Sequence, residues 1–419
     1  MQILYTSLHY PLPVANGGTM RLWAMLRAIA SLGHEITLVC FCKPGGVRGT
    51  EAQLREVCRD NELVEMQFTR MAEGGAYGNR LLAIFSPTPF KFARFRSPEM
   101  RECLQRKLRE QVFDLVICDS ASAAINLPET TVPLVMNSHD LEHKMLQRYV
   151  QHEPNLAKKL YAWVEAIKAR RFEANAFGRA NLGMACSRDD SAVLRKLCAG
   201  LQVSVVPNVV DVNDYKIAHD EDPHTMVYVG VMDWLPNCDA LEYFVSAILP
   251  LIQRQIPEVR LIAAGRSPSA VFRAKFSNIP AVQFTGTLPD LRPVVATAAV
   301  SVIPLRIGTG TRLKILEGGA MGKAMVSTTI GAEGLDFVPG REILIADAPE
   351  EFADGVVELL RDPVRRRSLG QAARRRVAAD YDLTALERSI EHALSTLKGS
   401  IDICAEDRQV VSARTTSEN

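Results

Sequence analysis

The sequence predicts an α/β protein of two domains, each built on a doubly wound parallel sheet. Short apolar runs alternate with amphipathic helical patterns along the chain, which is the rhythm of βα units. The apolar runs are continuous rather than alternating, as in strands that helices cover on both faces. At 419 residues the chain is also longer than a single hydrophobic core usually supports.

Thirteen apolar runs are the predicted strands. Seven lie in the first half: Ile3–Thr6, Ile36–Phe41, Leu63–Phe68, Leu115–Cys118, Leu134–Asn137, Leu182–Ala185 and Val203–Val206. Six lie in the second half: Met226–Val229, Arg260–Ala263, Val282–Phe284, Val300–Ile303, Ala324–Ser327 and Glu342–Ile345. The first domain is placed at residues 1–205 and the second at 206–381, because the seventh strand runs into the turn-forming pair Pro207-Asn208.

Three helices have clear signals. Gly18–Leu32 is amphipathic and is followed by Gly33, a residue typical of helix ends. Asn155–Gly178 is long and strongly basic in its middle, and Asp382–Leu397 is a final amphipathic helix. Residues 399–419 are polar and lack periodicity, so they are predicted to be a disordered tail.

The composition is that of a soluble globular protein. A net charge of +1 argues against a nucleic-acid binder, which usually has a basic excess. The nine cysteines have no metal-binding spacing and are expected to be reduced thiols. The N-terminus has no signal-peptide pattern, and no window approaches the roughly 20 apolar residues of a membrane span. We therefore predict a cytoplasmic protein that would meet a membrane only at its surface.

Positive charge is concentrated in the first half of the chain. Residues 1–205 carry a net charge of +6 and the remainder −5. A basic half that faces an anionic surface or substrate is one interpretation, and a random imbalance on solvated helices is the other. The segment Leu81–Arg96 mixes aromatic residues with cations. It lies in a membrane interface or contacts an anionic lipid carrier, or it packs its Phe side chains onto the domain.

The segment Pro304–Glu317 carries the most functional information. It follows a predicted strand, contains two glycines and opens a helix, so backbone N–H groups can approach a ligand where a helix attracts anions. Arg312 and Lys314 add two cations at the start of this helix, and Glu317 can accept hydrogen bonds from hydroxyls. This combination suits a diphosphate attached to a sugar. A solvated helix face is the alternative for the two cations.

Three further features lie where predicted strands end, which is where parallel sheets place ligands. Asn16-Gly17-Gly18 opens the first helix, although the dinucleotide fingerprint G-x-G-x-x-G is absent. His139 can exchange a hydrogen bond or a proton with a reacting oxygen, and an incidental His beside a capping Asp is the alternative. Val229–Asn237 opens the second domain in the same manner as the first.

Together these residues resemble glycosyltransferase family 4, the retaining enzymes of the GT-B group, over nearly the whole chain. The most specific match is Gly310–Glu317 with the glycine-containing stretches that follow it, and Val206–Asp211 is similar to the family's Pro-Asn-Gly-Val-Asp. With Met232–Ala240, these residues look like a subgroup linked to bacterial exopolysaccharide loci. The resemblance implies two Rossmann-like domains that face a central cleft, with the helix at 382–398 crossing back to the first domain.

The resemblance also implies roles for individual residues. Glu317 would hold the ribose of a nucleotide-sugar donor, the turn at Gly286 its base, and His139 its sugar or the reacting face. The residues predicted for donor binding lie in turns or at helix starts and are Gly17, Gly18, Arg266, Gly286, Thr309, Gly310, Thr311 and Glu317. Those predicted for catalysis carry titratable or charged groups and are His139, Arg312 and Lys314.

Two departures from the family pattern leave questions open. Thr309 replaces the first Glu of the E-x7-E motif, which contacts the donor sugar, so the sugar is not specified. The cations that often follow the first strand of the second domain are absent from Val231–Trp234. Arg312 and Lys314 are the predicted replacements, with Arg266 as a further candidate.

The reaction that the resemblance implies is transfer from a nucleotide-diphosphate sugar to a hydroxyl of a glycan or lipid-linked saccharide. It would retain the anomeric configuration, require no metal or other cofactor, and serve exopolysaccharide biosynthesis. Two alternatives remain: a nucleotide-sugar epimerase of similar build, and a non-catalytic protein that binds nucleotide-sugar or glycan within an assembly complex. Nucleic acid is not an expected partner.

Overall fold

The computed structural model describes residues 1–14, 16–43, 49–66, 86–217, 221–266 and 269–397. The chain divides into two compact units. Unit 1 comprises residues 1–207 together with 386–397, and unit 2 comprises Asn208–Ala385. The units therefore divide between Pro207 and Asn208, whereas the sequence placed the boundary between residues 205 and 206.

Unit 1 contains a seven-stranded parallel sheet in the order β3-β2-β1-β4-β5-β6-β7. All residues of β4 and β6 are buried, as expected for strands that are covered on both faces. The strands are β1 Gln2–Ser7, β2 Glu35–Cys42, β3 Asp60–Glu65, β4 Leu115–Cys118, β5 Leu134–Ser138, β6 Leu182–Ala185 and β7 Val203–Val205.

Helices flank this sheet, and polar side chains fix where several of them begin. Asn16 caps α1 by accepting from the Thr19 N–H at 3.1 Å, and Gly33 follows the helix with a φ of 79°. The helices of unit 1 are α1 Gly17–Ser31, α2 Glu51–Val57, α3 Phe90–Ala93, α4 Pro98–Glu110, α5 Glu142–His152, α6 Leu156–Gly178 and α7 Arg188–Leu197.

The described part of the aromatic and basic segment packs onto unit 1. Phe92 on α3 is buried, and its ring centroid lies 5.1 Å from that of Phe172 on α6. Phe95 packs against the hydrophobic core, and Lys91 pairs with Glu142. The packing interpretation is therefore confirmed for Phe92 and Phe95. Residues 81–85 lie outside the described residues.

Unit 2 contains a six-stranded parallel sheet in the order β10-β9-β8-β11-β12-β13. Its strands are β8 Asp222–Val229, β9 Arg260–Ala264, β10 Val282–Gly286, β11 Ala298–Ile303, β12 Ala324–Ser327 and β13 Leu344–Ile345. Its helices are α8 Leu235–Tyr243, α9 Leu249–Gln255, α10 Ala270–Ala274, α11 Arg292–Thr297, α12 Leu313–Ala320, α13 Thr329–Ala332, α14 Pro349–Arg361 and α15 Pro363–Asp380.

All thirteen predicted strands are present, and the differences lie at their ends. β3 begins at Asp60, three residues before its predicted start, and its first three residues are polar. They can pair because β3 is an edge strand, which needs no continuous apolar sequence. The predicted residues 67 and 68 lie outside the described residues, as does the predicted tail at 399–419.

The last helix, α16, spans residues 383–397 and confirms the predicted final helix. From Leu386 onward its described residues belong to unit 1, and the Ser31 hydroxyl of α1 donates to Glu387 at 2.6 Å. Within the described ranges, no helix is long and apolar enough to cross a bilayer. The same ranges contain no group of three or more His, Cys, Asp or Glu side chains that could hold a metal ion.

Candidate functional site

The candidate site of unit 2 lies where the strand order reverses. β8 and β11 are parallel neighbours at the centre of the sheet, whereas the chain proceeds from them in opposite directions, to β9 and to β12. In open α/β sheets, ligands bind at such reversals, outside the carboxyl ends of the strands. The loops that leave these two strand ends are residues 230–234 and 304–312.

The loop after β11 adopts a conformation that requires glycine. Gly308 and Gly310 have φ angles of 138° and 72°, which residues with a side chain rarely adopt. The buried Arg312 guanidinium donates from Nη1 to the carbonyl oxygen of Gly310 at 2.6 Å and to that of Thr309. A Cβ on Gly308 would lie 2.7 Å from Arg312 Nη2. Arg312 therefore braces the loop and places a fixed positive charge against it.

Lys314 contacts β8 and α8, the two elements that flank the loop at residues 230–234. Its Nζ donates to Asn237 Oδ1 at 3.0 Å and to the Tyr228 hydroxyl at 3.4 Å, and lies 4.5 Å from the centroid of the Tyr228 ring. Burial lowers the pKa of Lys314 to about 7; the charge of Arg312 also lowers it, and Glu317 opposes both. An anion that binds beside Lys314 would gain more Coulomb energy than it would beside an exposed lysine, because little water surrounds the Lys314 ammonium group.

Glu317 lies one turn after Lys314 on α12 and is held by a residue from the start of unit 2. The Tyr215 hydroxyl donates to Glu317 Oε1 at 3.3 Å. Burial raises the pKa of Glu317, while the Tyr215 hydrogen bond and the charges of Lys314 and Arg292 lower it in part. The free carboxylate oxygen can accept from a ligand hydroxyl, because the hydrogen bond from Tyr215 uses the other one.

The two threonines of the glycine loop differ in their surroundings. Thr311 Oγ1 accepts from Asn208 Nδ2 at 2.5 Å, which fixes it to the first residue of unit 2. Thr309 Oγ1 is buried and has no hydrogen-bond partner among the described residues. Buried hydroxyls are nearly always paired, so this one is a candidate to contact a ligand or a water molecule.

Gly286 and Arg266 lie further along the same edge of the sheet. Gly286 ends β10 with a φ of 72°, so its turn also requires glycine. Arg266 follows β9, and its exposed guanidinium lies 3.5 Å from Asp233 in the loop after β8. Gly265 lets these two loops meet, because a Cβ there would lie 1.9 Å from the carbonyl oxygen of Gly230.

Unit 1 has its own strand-order reversal, between β1 and β4, and a buried polar cluster lies there. Asp119 directly follows β4, and its carboxylate accepts from Tyr5 at 2.5 Å, Ser7 at 2.9 Å and Asn137 at 3.0 Å. His139 Nε2 lies 3.0 Å from Asp119 Oδ1, within ion-pair distance but outside hydrogen-bond geometry. The cluster places His139 at a ligand-binding edge of the sheet.

Electrostatics keep Asp119 ionised. Burial acts to raise its pKa, but the charge of His139 and the hydrogen bonds from neighbouring side chains outweigh burial, so its pKa lies below the ordinary value. The His139 side chain is 23% exposed, so its ring can reach a ligand while Asp119 holds one edge.

Helix α1 is fixed to the same region near its start. Arg21 is buried, and its guanidinium donates to Asn137 Oδ1 at 2.8 Å and to the Pro207 carbonyl at 3.1 Å. Gly17 and Gly18 form the start of this helix. A Cβ on Gly18 would lie 3.3 Å from Asn16 Oδ1 and would press on the cap.

The predicted site residues form groups within each unit. Those that follow β11 form one group and are Thr309, Gly310, Thr311, Arg312, Lys314 and Glu317. Gly286 and Arg266 belong to the same unit but to neighbouring loops. Gly17, Gly18 and His139 belong to unit 1.

Several residues that hold these groups were not assigned a role from the sequence. Asp119 and Asn237 had a recognisable signal, since Asp119 directly follows a strand and Asn237 lies in the first turn of a helix, after Pro236. Tyr215 and Tyr228 had none, because a tyrosine in a linker or within a strand reads as a packing residue.

Both units match family models. The model described as Glycosyltransferase Family 4 matches residues 15–214, and that described as Glycosyl transferases group 1 matches residues 223–362. An uncharacterized 44.6 kDa protein in the cps region of Klebsiella pneumoniae is 21% identical over 93% of this chain and 98% of its own. A glycogen synthase of Mycobacterium tuberculosis is 24% identical over 91% of each chain.

Solved structures share the fold at lower identity. Sucrose-phosphate synthase from Thermosynechococcus elongatus has 16% identity and a TM-score of 0.73 over 95% of this chain and 99% of its own. HepE of Anabaena, solved in complex with UDP-glucose, has 13% identity and a TM-score of 0.62 over 94% of this chain and 100% of its own. The predicted fold class, two Rossmann-like domains of the GT-B type, is confirmed.

Proposed function

We propose that this chain, which carries a glycosyltransferase domain in each of its two units, moves a sugar from a nucleotide-diphosphate sugar to a hydroxyl acceptor. The observation that carries this proposal is the arrangement around α12. A glycine loop leads into this helix, and the Lys314 cation and the Glu317 carboxylate lie one turn apart on it, at the strand-order reversal of unit 2.

Each group around α12 has a role in donor binding. Backbone N–H groups of Gly310 and Thr311, with Lys314, would bind the diphosphate, while Arg312 keeps the loop in shape and adds charge. Glu317 would accept from the ribose, and the turn at Gly286 would receive the base. The Thr309 hydroxyl would take the place of a carboxylate at the sugar.

Lys314 would be the main electrostatic catalyst. Negative charge grows on the leaving diphosphate in the transition state, and fixed donors that meet developing charge supply the largest catalytic effect. Arg266 is a weaker candidate for the same diphosphate, because its guanidinium is exposed and already lies near Asp233.

In unit 1, Gly17 and Gly18 would approach the phosphates or sugar, and His139 would contact the donor sugar. Retention of configuration would follow if the acceptor hydroxyl attacks on the face that the diphosphate leaves and the leaving phosphate takes its proton. This route requires neither a protein nucleophile nor a metal ion, so we propose a metal-independent reaction.

The acceptor would be a glycan or a lipid-linked saccharide of an exopolysaccharide pathway. The similarity to a protein of a cps region supports this assignment. HepE was solved with UDP-glucose, so UDP-sugars are the first donors to test. A lipid-linked acceptor would bring a cytoplasmic protein to the inner membrane surface.

Incubation of the purified protein with a panel of nucleotide sugars tests the proposal. Release of nucleoside diphosphate that requires an added saccharide acceptor is the expected result. Interconversion of the sugars would instead identify an epimerase. Binding of a nucleotide sugar with neither reaction would identify a non-catalytic protein. The sequence observation that favours this alternative is the absence of cations from Val231–Trp234.

A further inference from the structure

Helix α6 carries an apolar stripe on its outer face. Leu156, Leu160 and Trp163 are 80%, 62% and 53% exposed, although side chains of this size are usually covered. Their spacing of four and three residues places them on one face of the helix, and the partly buried Ile167 continues that face. We call Leu156, Leu160, Trp163 and Ile167 the α6 stripe.

The exposed charge that α6 itself carries has one sign. Arg170 and Arg171 are exposed and extend the same face toward the end of the helix, and Lys159 lies at its edge. The stripe and the two arginines together span roughly 22 Å of helix, from a rise of about 1.5 Å per residue. No exposed carboxylate of α6 offsets this charge.

Both carboxylates of α6 are buried and engaged within unit 1. Glu165 accepts from the Phe90 N–H at 2.7 Å and from Lys168 Nζ at 2.8 Å. Glu173 accepts from the Glu142 N–H at 2.7 Å and also contacts His143. The helix thus directs its acids inward, and its exposed charges are all positive.

From these observations we propose that α6 is a membrane-docking surface that lies in the interface of an anionic phospholipid bilayer. Leucine and tryptophan on one face with flanking arginines are the combination that places a helix at the boundary between headgroups and acyl chains. The exposed cations complement anionic headgroups. None of the α6 residues is proposed to take part in sugar transfer. Loss of membrane docking would therefore leave the proposed transfer activity intact.

Vesicle binding by the full-length protein tests the proposal. The protein should sediment with vesicles of phosphatidylcholine mixed with phosphatidylglycerol, and much less with pure phosphatidylcholine. Added salt should weaken this binding, because screening acts on the cationic contribution. The emission of Trp163, one of three tryptophans, should shift to shorter wavelength on binding, and Trp163→Phe should remove most of that shift.

Matched variants separate the surface from general effects. Leu156→Ser with Leu160→Ser should weaken partitioning roughly tenfold or more, because two apolar side chains leave the interface. Arg170→Gln with Arg171→Gln should weaken it by roughly 25-fold, which is roughly fivefold for each of the two cations. Val112→Ser, at an 88% exposed position of the same unit, and Arg101→Gln with Arg109→Gln on α4 are the controls and should bind like wild type.

Equal binding to neutral and anionic vesicles would overturn the proposal, as would stripe variants that bind as tightly as the controls. A second copy of the chain is the competing occupant. If light scattering shows a dimer that Leu160→Ser dissolves, and wild type does not bind vesicles, the stripe is a self-association surface instead. Nucleotide-sugar turnover with a soluble acceptor should be unchanged in every stripe variant.

Discussion

The proposed role of Lys314 predicts how the reaction should depend on pH. The Lys314 pKa of about 7 means that the cationic form, which is the form proposed to bind diphosphate, dominates only below that pH. We expect kcat/KM for the donor to fall as pH rises through about 7, since this parameter reports the free enzyme. The decline in kcat should lie at higher pH, because a bound diphosphate stabilises the cation. A pH profile of initial rates measures both.

Lys314→Met should lower kcat/KM roughly 100- to 1000-fold, the usual effect of removing a donor to developing charge. The same change should raise the free energy of unfolding at pH 7 by on the order of 1 kcal/mol. The sign follows because folding lowers the pKa of this lysine, so the unfolded chain holds the proton more tightly between pH 7 and 10.5. Reduced stability together with reduced activity would contradict a functional origin of the buried cation.

If His139 contacts the donor sugar as proposed, Asp119 would act on the reaction through His139, as a positioning residue. Asp119→Asn should lower kcat about 10- to 100-fold while nucleoside diphosphate binding, measured by calorimetry, stays within about threefold. The pKa of Asp119 is depressed, so its stabilising contribution is complete above 3.8 and is lost as pH falls through the lower folded-state value. The variant should lack this acid-dependent loss. An equal loss of kcat and diphosphate affinity would instead indicate a damaged fold.

At the scale of the element, the loop between β11 and α12 combines backbone strain with a side-chain brace. Gly308→Ala would force a Cβ against Arg312 Nη2 and would also disfavour the native φ of 138°. We expect a loss of roughly 1–2 kcal/mol of stability and a larger loss of donor affinity. Gly340→Ala is the control, because Gly340 also has a positive φ, of 75°, but its added Cβ meets nothing within 4 Å. Thermal melts and donor titrations of both variants separate strain from lost binding.

The elements show why the sequence predicted strands better than side-chain partners. β4, β6 and β12 begin and end at the predicted residues. Each is a short apolar run that is buried along its whole length, so the limits of the run mark the limits of the strand. The contact between Lys314 and Asn237 joins residues 77 positions apart. No local pattern records such a contact, since it depends on how the first turns of α8 and α12 meet at the sheet edge.

At the scale of the whole molecule, α16 connects the end of unit 2 to the packing of unit 1. Leu386, Ile390 and Leu394 are buried in this helix. In a chain that ends at residue 385, unit 1 should therefore melt at a lower temperature. Its free energy of unfolding should fall by several kcal/mol, which is what a few buried leucine-sized side chains contribute. A chain that ends at residue 397 keeps the entire helix and is the control. Equal thermal stability of the two chains would contradict the packing of α16 on unit 1.

The sequence alone determined the number of sheets, the order of elements and the glycine loop before α12, because periodicity and glycine placement act locally. Only the tertiary structure decided which side chains meet. In the folded chain, Arg312 donates to a carbonyl of its own loop, Asp119 lies beside His139, and two leucines of α6 remain exposed. Those outcomes depend on contacts between residues far apart in the chain, where burial and charge balance are set by the folded surroundings rather than by neighbours in sequence.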